Sequence, residues 1–174
     1  MNAVRDTIRT VLRAQEPFPA AVVDRNWNLV EANGAVAIFM HDVAPELLEP
    51  PLNVLRASLH PLGMARHIAN LGEWRAHLLG RLRRQIIASA DDDLRQLYDE
   101  LASYSCDDLV SELDLAAGSI VVPLRLRHHN QELVFLSTVT TFGTPLDITV
   151  QELAIESFFP ADAQTADVLR ALSG

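Results

Sequence analysis

The groups in this sequence best placed to do chemistry are cations along one apolar helix. Between Glu73 and Ile87, Trp74, Leu78, Leu82 and Ile86 recur every four positions. At about 100° per residue they draw one apolar stripe. Arg75 projects into that stripe between Leu82 and Ile86, while His77, Arg81 and Arg84 line one flank at spacings of four and three. An apolar wall edged with cations suits a molecule with a long apolar part and an anionic head, such as a fatty acid. A guanidinium holds a carboxylate through paired hydrogen bonds, more strongly where water is excluded. The same pattern also describes a core-facing stripe with a solvated basic flank, Arg75 being bonded to an internal carboxylate or a helix terminus. On the residues alone both readings stay open.

A second polar group is Asn53, Arg56 and His60, whose spacings of three and four place them on one helix face. They could surround a ligand head group. They could equally satisfy backbone groups at the His60-Pro61 corner, where buried donors and acceptors need partners. The structural role is expected for Asn53 and His60. The six histidines include no HExxH or similar helix pairing, and the single cysteine excludes a thiolate cluster. No metal and no cofactor is therefore expected, a haem held through one histidine being the alternative. No GxSxG elbow, phosphate-binding GxxxxGKS/T loop or GxGxxG fingerprint is present. Cys106 stands beside Asp107, and a neighbouring carboxylate raises a thiol pKa, which argues against a nucleophile. No catalytic residue is nominated, and binding without turnover is expected.

Charge bounds the partners. The net charge of −9, from 14 basic and 23 acidic residues, repels phosphate backbones, so direct DNA binding is not expected. A hydrophobic fraction of 49% with 21% charged residues is that of an ordinary soluble globular domain with a proper core. Cys106 can form no internal disulfide, no secretory signal is visible, and no apolar run approaches the roughly 18 residues of a membrane span. A cytoplasmic location without membrane contact is expected.

The elements that must position these groups follow from periodicity. Val4, Ile8, Val11 and Leu12 fall at helical spacing before Pro17. Ala20 to Asp24 and Asn28 to Ala32 read as strands around a turn at Arg25-Asn26, and Ala35 to Met40 as a short helix. A helix is expected over Asn53 to His60, then a corner, then a helical pattern from Met64 to Ser89 bent near Gly72. Asp91, Asp92 and Asp93 start another helix, burying Leu94, Leu97, Tyr98 and Leu101. Ile120, Val122, Leu124 and Leu126 alternate with outward residues as a half-buried strand does. A turn at His129-Asn130 leads into Leu133 to Thr141. Gly143-Thr144-Pro145 supplies the next turn, Val150 to Phe159 the last strand, and Asp162 to Leu172 the final helix. The order gives an α+β fold: an antiparallel sheet of about five strands, a helical block on one face and flanking N- and C-terminal helices.

Three segments carry a resemblance. STVTTFGTPLDITVQELAIESFFPAD, Ser137 to Asp162, resembles the C-terminal signature of the MmyB-like ligand-binding domain, the sensor half of bacterial helix-turn-helix (XRE-type) transcription regulators. AAVVDRNWNLVEAN, Ala20 to Asn33, is similar to that family's opening hairpin. NVLRASLHPLGMARHIANLGEWRAHLLGRLRRQ, Asn53 to Gln85, is similar to its central helical block. Asn53, Arg56, His60, Pro61 and Gly63 match the family pattern, as do Asn70, Glu73 and Trp74. Leu62 departs from it, standing where relatives carry an acidic residue. The resemblance implies a PAS-like fold and ligand binding. It also implies a helix-turn-helix DNA-binding domain on the N-terminal side, absent from this chain, through which alone DNA would be contacted.

On that basis residues 1–16 are expected to form the linker helix towards the missing domain, and residues 17–174 one ligand-binding domain, in a homodimer. The ligand is expected between sheet and helical block. Leu78, Leu82 and Ile86 would form one wall beside Trp74 and His77, with Phe135, Val139 and Ile155 as the other. Arg75, or else Arg81, would hold the acid. The alternatives are a structural dimerisation domain without ligand and an acyl-processing enzyme.

Overall fold

The computed structural model describes residues 2–112, 121–142 and 152–174. Two hairpins supply four strands of one sheet. In the first, β1 (Ala20–Val23) pairs with β2 (Leu29–Ala32); in the second, β3 (Leu124–His128) pairs with β4 (Gln131–Thr141). The fifth strand, β5 (Ala154–Pro160), lies between the hairpins, giving the order β2-β1-β5-β4-β3 with every neighbour antiparallel. Both hairpin turns follow local chemistry. The Asp24 carboxylate accepts the N–H groups of Asn26 (2.8 Å) and Asn28 (2.9 Å), closing the first turn. His129 and Asn130 both take left-handed φ angles, 44° and 61°, the backbone a two-residue hairpin needs.

The helices fall largely between the hairpins. After α1 (Asn2–Ala14) and the first hairpin come a 3-10 turn at Gly34–Val36, α2 (Ala37–Met40), α3 (Pro45–Leu48) and α4 (Val54–Leu59). A second 3-10 turn (Met64–His67), α5 (Leu71–Ser89) and α6 (Asp92–Ser103) complete the block, and α7 (Ala163–Ser173) follows β5. This is a PAS-like α+β fold. Helix starts are capped where the sequence places short polar side chains. Asn53 accepts from Arg56 N, Asp91 from Asp93 N and Leu94 N, and Asp162 from Thr165 N.

One expectation fails here. The pattern from Met64 to Ser89 is not one bent helix, because β3 captures the middle of it. Ala69 N donates to Arg125 O (2.7 Å). The Asn70 amide donates to Pro123 O (2.7 Å) and accepts from Arg125 N (3.1 Å). Those bonds hold the backbone out of the helix, and α5 starts only at Leu71. Gly72 lies in its first turn for a packing reason: a Cβ there would stand 1.7 Å from Asp108 O. The turn expected at Gly143-Thr144-Pro145, Ile120 of the alternating strand and Val150 of the last strand lie outside the described residues.

The sheet is covered on both faces. Alternation sends Ala21 and Val23 of β1, Ala154, Glu156 and Phe158 of β5, and Phe135 and Val139 of β4 towards the helical block. That side holds the main core, with Leu78, Leu79 and Leu82 of α5, Leu94 and Leu101 of α6, and Phe39 of α2. The opposite side carries α1, whose Ile8 and Leu12 bury against Ala20, Val22 and Ile155. Ile155 is therefore not a wall of the space under the helices. With a period of two, β5 turns Glu156 inward and Ile155 outward onto α1.

Candidate ligand site

Between the sheet and the helices lies an apolar cavity of about 60 Å³. Val23, Phe39, Leu55, Trp74, Leu78 and Phe158 line it, and Glu156 is the one ionisable side chain among its described lining residues. Trp74 is fixed there by its indole N–H, which donates to the Ser58 hydroxyl (3.1 Å). On the far side of Glu156 an open groove of about 400 Å³ runs along α5 and the sheet, lined by Arg81, Arg84, Gln85, Trp27 and Val139.

The partition between cavity and groove is an ion pair. Arg81 Nη1 lies 3.1 Å from Glu156 Oε1, the two side chains being 15% and 8% exposed. Burial of both charges is tolerated because each supplies the other's counter-charge. Arg81 also stacks on Trp27, its guanidinium carbon 4.7 Å from the ring centre. Trp27 is anchored in turn, because its N–H donates to Gln85 Oε1 (2.8 Å) and Gln85 donates to Arg25 O (2.7 Å). One turn before Arg81, burial pushes the His77 pKa down to about 4, helped by the positive charges of Arg81 and Arg84.

The other nominated residues fall elsewhere. Arg75 donates from Nη2 to Ala102 O (2.7 Å), a carbonyl in the last turn of α6, and lines neither cavity nor groove. That position serves a helix C-terminus, where unpaired carbonyls attract cations, so Arg75 is engaged away from both spaces, in the way the alternative reading of that residue expected. Leu82 is fully buried in the core, and Ile86 is half-buried against it. Phe135 packs edge-on to Phe39 at 5.2 Å behind the cavity. Arg56 grips Glu100 through Nε (2.6 Å) and Nη2 (2.9 Å), and that grip, together with the Tyr104 hydroxyl bond, holds the Glu100 carboxyl below its ordinary range. His60 Nδ1 accepts from Leu62 N (3.0 Å), so it serves the corner backbone. Of the nominated residues, Trp74 and Leu78 line the cavity and Arg81 and Val139 the groove; beside them stand Glu156 and Trp27, which were not nominated from the sequence. The signal for Glu156 was its charge within the otherwise uncharged strand Ala154–Pro160.

Among the described residues no group of three His, Cys, Asp or Glu side chains is placed to hold a metal ion. Burial, with Asp108 beside it, holds the Cys106 thiol above its ordinary value. No helix among the described residues is long and apolar enough to cross a membrane.

The apolar cavity and the open groove thus meet at the Arg81–Glu156 pair. The sequence model of the MmyB-like transcription regulator ligand binding domain matches residues 4–172. The chain belongs to that family. No curated protein matches it. In this MmyB-like domain the match spans both hairpins, the helical block and α7, so cavity and groove lie within the family's ligand-binding unit.

Proposed function

We propose that this MmyB-like domain senses a small acid with an apolar tail, of the fatty-acid or acyl type, and thereby modulates DNA binding by a helix-turn-helix domain. The observation that carries the reading is Arg81, a cation held on Trp27 at the boundary between an apolar cavity and an open groove. Head groups are held best by a guanidinium away from water. The tail would pass Glu156 and lie against Trp74, Leu78 and Phe158. A volume of about 60 Å³ admits only about two water-sized groups, so a longer tail must push sheet and helices apart.

That displacement is the signal. Val22 and Ile155, on the strands that also carry Val23 and Glu156, hold α1 on their outer side. A ligand preferring the widened arrangement shifts the population of α1 orientations. In this reading α1 is the joint to the DNA-binding domain, residues 17–174 are the sensor, the assembly is a homodimer in the cytoplasm, and no chemistry is performed.

A second reading, a structural dimerisation domain, draws on the same volume, since ligand pockets commonly measure about 300 Å³ or more and this core is nearly filled. An acyl-processing enzyme ranks third: the hydroxyl at the cavity, that of Ser58, meets an indole N–H rather than a base. Mass spectrometry of the purified protein, native and then extracted, separates these readings. A co-purified acyl acid near one per chain supports the sensor. An empty protein whose melting temperature is unmoved across a panel of fatty acids sinks it in favour of the dimerisation domain.

A further inference from the structure

We propose that Glu156 is an internal stand-in for the ligand's carboxylate, and that an acidic ligand binds by displacing it from Arg81 with uptake of one proton. The inference rests on the acid-sensing reading above. Three features of the described structure lead to it. Glu156 faces an apolar cavity with its side chain 8% exposed, so its charge depends on Arg81. Arg81 meets it through Nη1 at 3.1 Å, whereas Arg56 clamps Glu100 with two nitrogens at 2.6 and 2.9 Å. A guanidinium carries five N–H donors in a fork shaped for a carboxylate, so a free acid can make the fuller contact. Finally, Arg81 is held in place by the Trp27 ring whether or not Glu156 is its partner.

One guanidinium cannot neutralise two carboxylates that are both largely shielded from water. When the ligand's head takes Arg81, Glu156 is left buried without a counter-charge, and a buried carboxylate in that position binds a proton rather than stay ionised. The surrounding charges do not alter this balance. On α5, Arg84 is exposed; in the β1–β2 turn, Asp24 is engaged with the N–H groups of Asn26 and Asn28. Arg25 pairs with Glu152 at the groove's outer edge (3.3 Å). β4 presents Val139 and Thr141 there, neither of them titratable. Among the described residues His77 is the one rival acceptor of the proton, since burial and two nearby cations keep it neutral and an arriving anion would relieve them.

Calorimetric titration of decanoic acid into the whole chain, at about pH 7.5 in phosphate and in Tris, counts the protons, because the two buffers release different heats per proton. The expected result for the natural sequence is uptake of close to one proton per decanoate, with affinity falling about tenfold per unit rise in pH. Glu156→Gln keeps shape and hydrogen bonding but removes the competing charge. It should bind decanoate at least about tenfold more tightly, with no proton uptake. Absent uptake in the natural sequence overturns the exchange without recourse to any variant. Uptake persisting in Glu156→Gln also overturns it, placing the proton on His77 or on the fatty acid. The neutral analogue decanol separates the two levels of failure. Decanol binding as tightly as decanoate, without proton uptake, leaves a ligand site standing and removes the exchange; no binding of either compound removes both.

Discussion

Replacing Arg81 by methionine keeps the length of the side chain and removes its charge, leaving the Glu156 carboxyl buried without its counter-charge. With Glu156 8% exposed and Arg81 15%, the pair belongs to the buried class, for which removing one partner costs about 3–5 kcal/mol. The lost stacking on Trp27 adds about 0.5–1 kcal/mol, and the apolar methionine stem returns a similar amount through burial. The expected net loss is about 3 kcal/mol near neutral pH, a large share of the roughly 5–15 kcal/mol that holds such a domain. Removing both charges in Arg81→Met/Glu156→Leu takes away the unpaired carboxylate, and stability should return to within about 1 kcal/mol of the natural sequence. Urea unfolding, compared at equal slope, measures both. A single variant within about 1 kcal/mol of the natural sequence, or a double variant no better than the single, would refute the claim that this pair is buried and mutually dependent.

The remaining predictions concern the frame around the site. Gly72→Ala should cost about 2 kcal/mol, since its Cβ would meet Asp108 O at 1.7 Å. Gly80→Ala, mid-helix with Arg84 Nη1 at 3.7 Å as its one close neighbour, should gain about 0.5–1 kcal/mol. The same chemical melts check both. Asn33→Ala removes the buried amide that donates to Leu12 O (3.0 Å) and Phe18 O (2.9 Å) and accepts from Ala20 N (3.2 Å). It should cost about 2–3 kcal/mol and make limited proteolysis cut first between α1 and β1. An unchanged digest would mean that α1 is not held by this residue. His77, held down to about 4, gives stability that is full above its unfolded pKa of about 6.5 and is lost as pH falls towards 4. His77→Gln should flatten that acid limb by on the order of 2 kcal/mol, read from stability measured at several pH values.

How much of this was legible in the sequence depended on whether one face of each element was wet. β3 could be read from its alternation because Arg125 and Arg127 are exposed while Leu124 and Leu126 are buried. β5 has buried residues on both sides: Ile155, Glu156 and Ser157 in succession. Hydropathy therefore could not say which neighbour faces the cavity, and the apolar choice, Ile155, was the wrong one. A helical wheel correctly gathered Trp74, Leu78 and Leu82. It could not show that the last turn of α6 would stand opposite Arg75, because that contact spans 27 residues of sequence. The break before α5 was hidden for the same reason, since Asn70 and Ala69 answer to β3 rather than to their own neighbours. Capping residues were the opposite case: Asp91 and Asp162 act within three positions of themselves, and the sequence places both at helix starts.

The central claim is that Arg81 receives the head of an acidic ligand whose tail enters the space between sheet and helices. A crystal structure of the chain grown with decanoic acid tests it most directly. The expected complex has the carboxylate within hydrogen-bond distance of the Arg81 guanidinium, Glu156 moved off it, and the tail against Trp74, Leu78 and Phe158. Decanoate seated instead in the cleft between Leu169, Leu172 and Ile38, or on Arg75 or Arg56, with the Arg81–Glu156 pair intact, would contradict it.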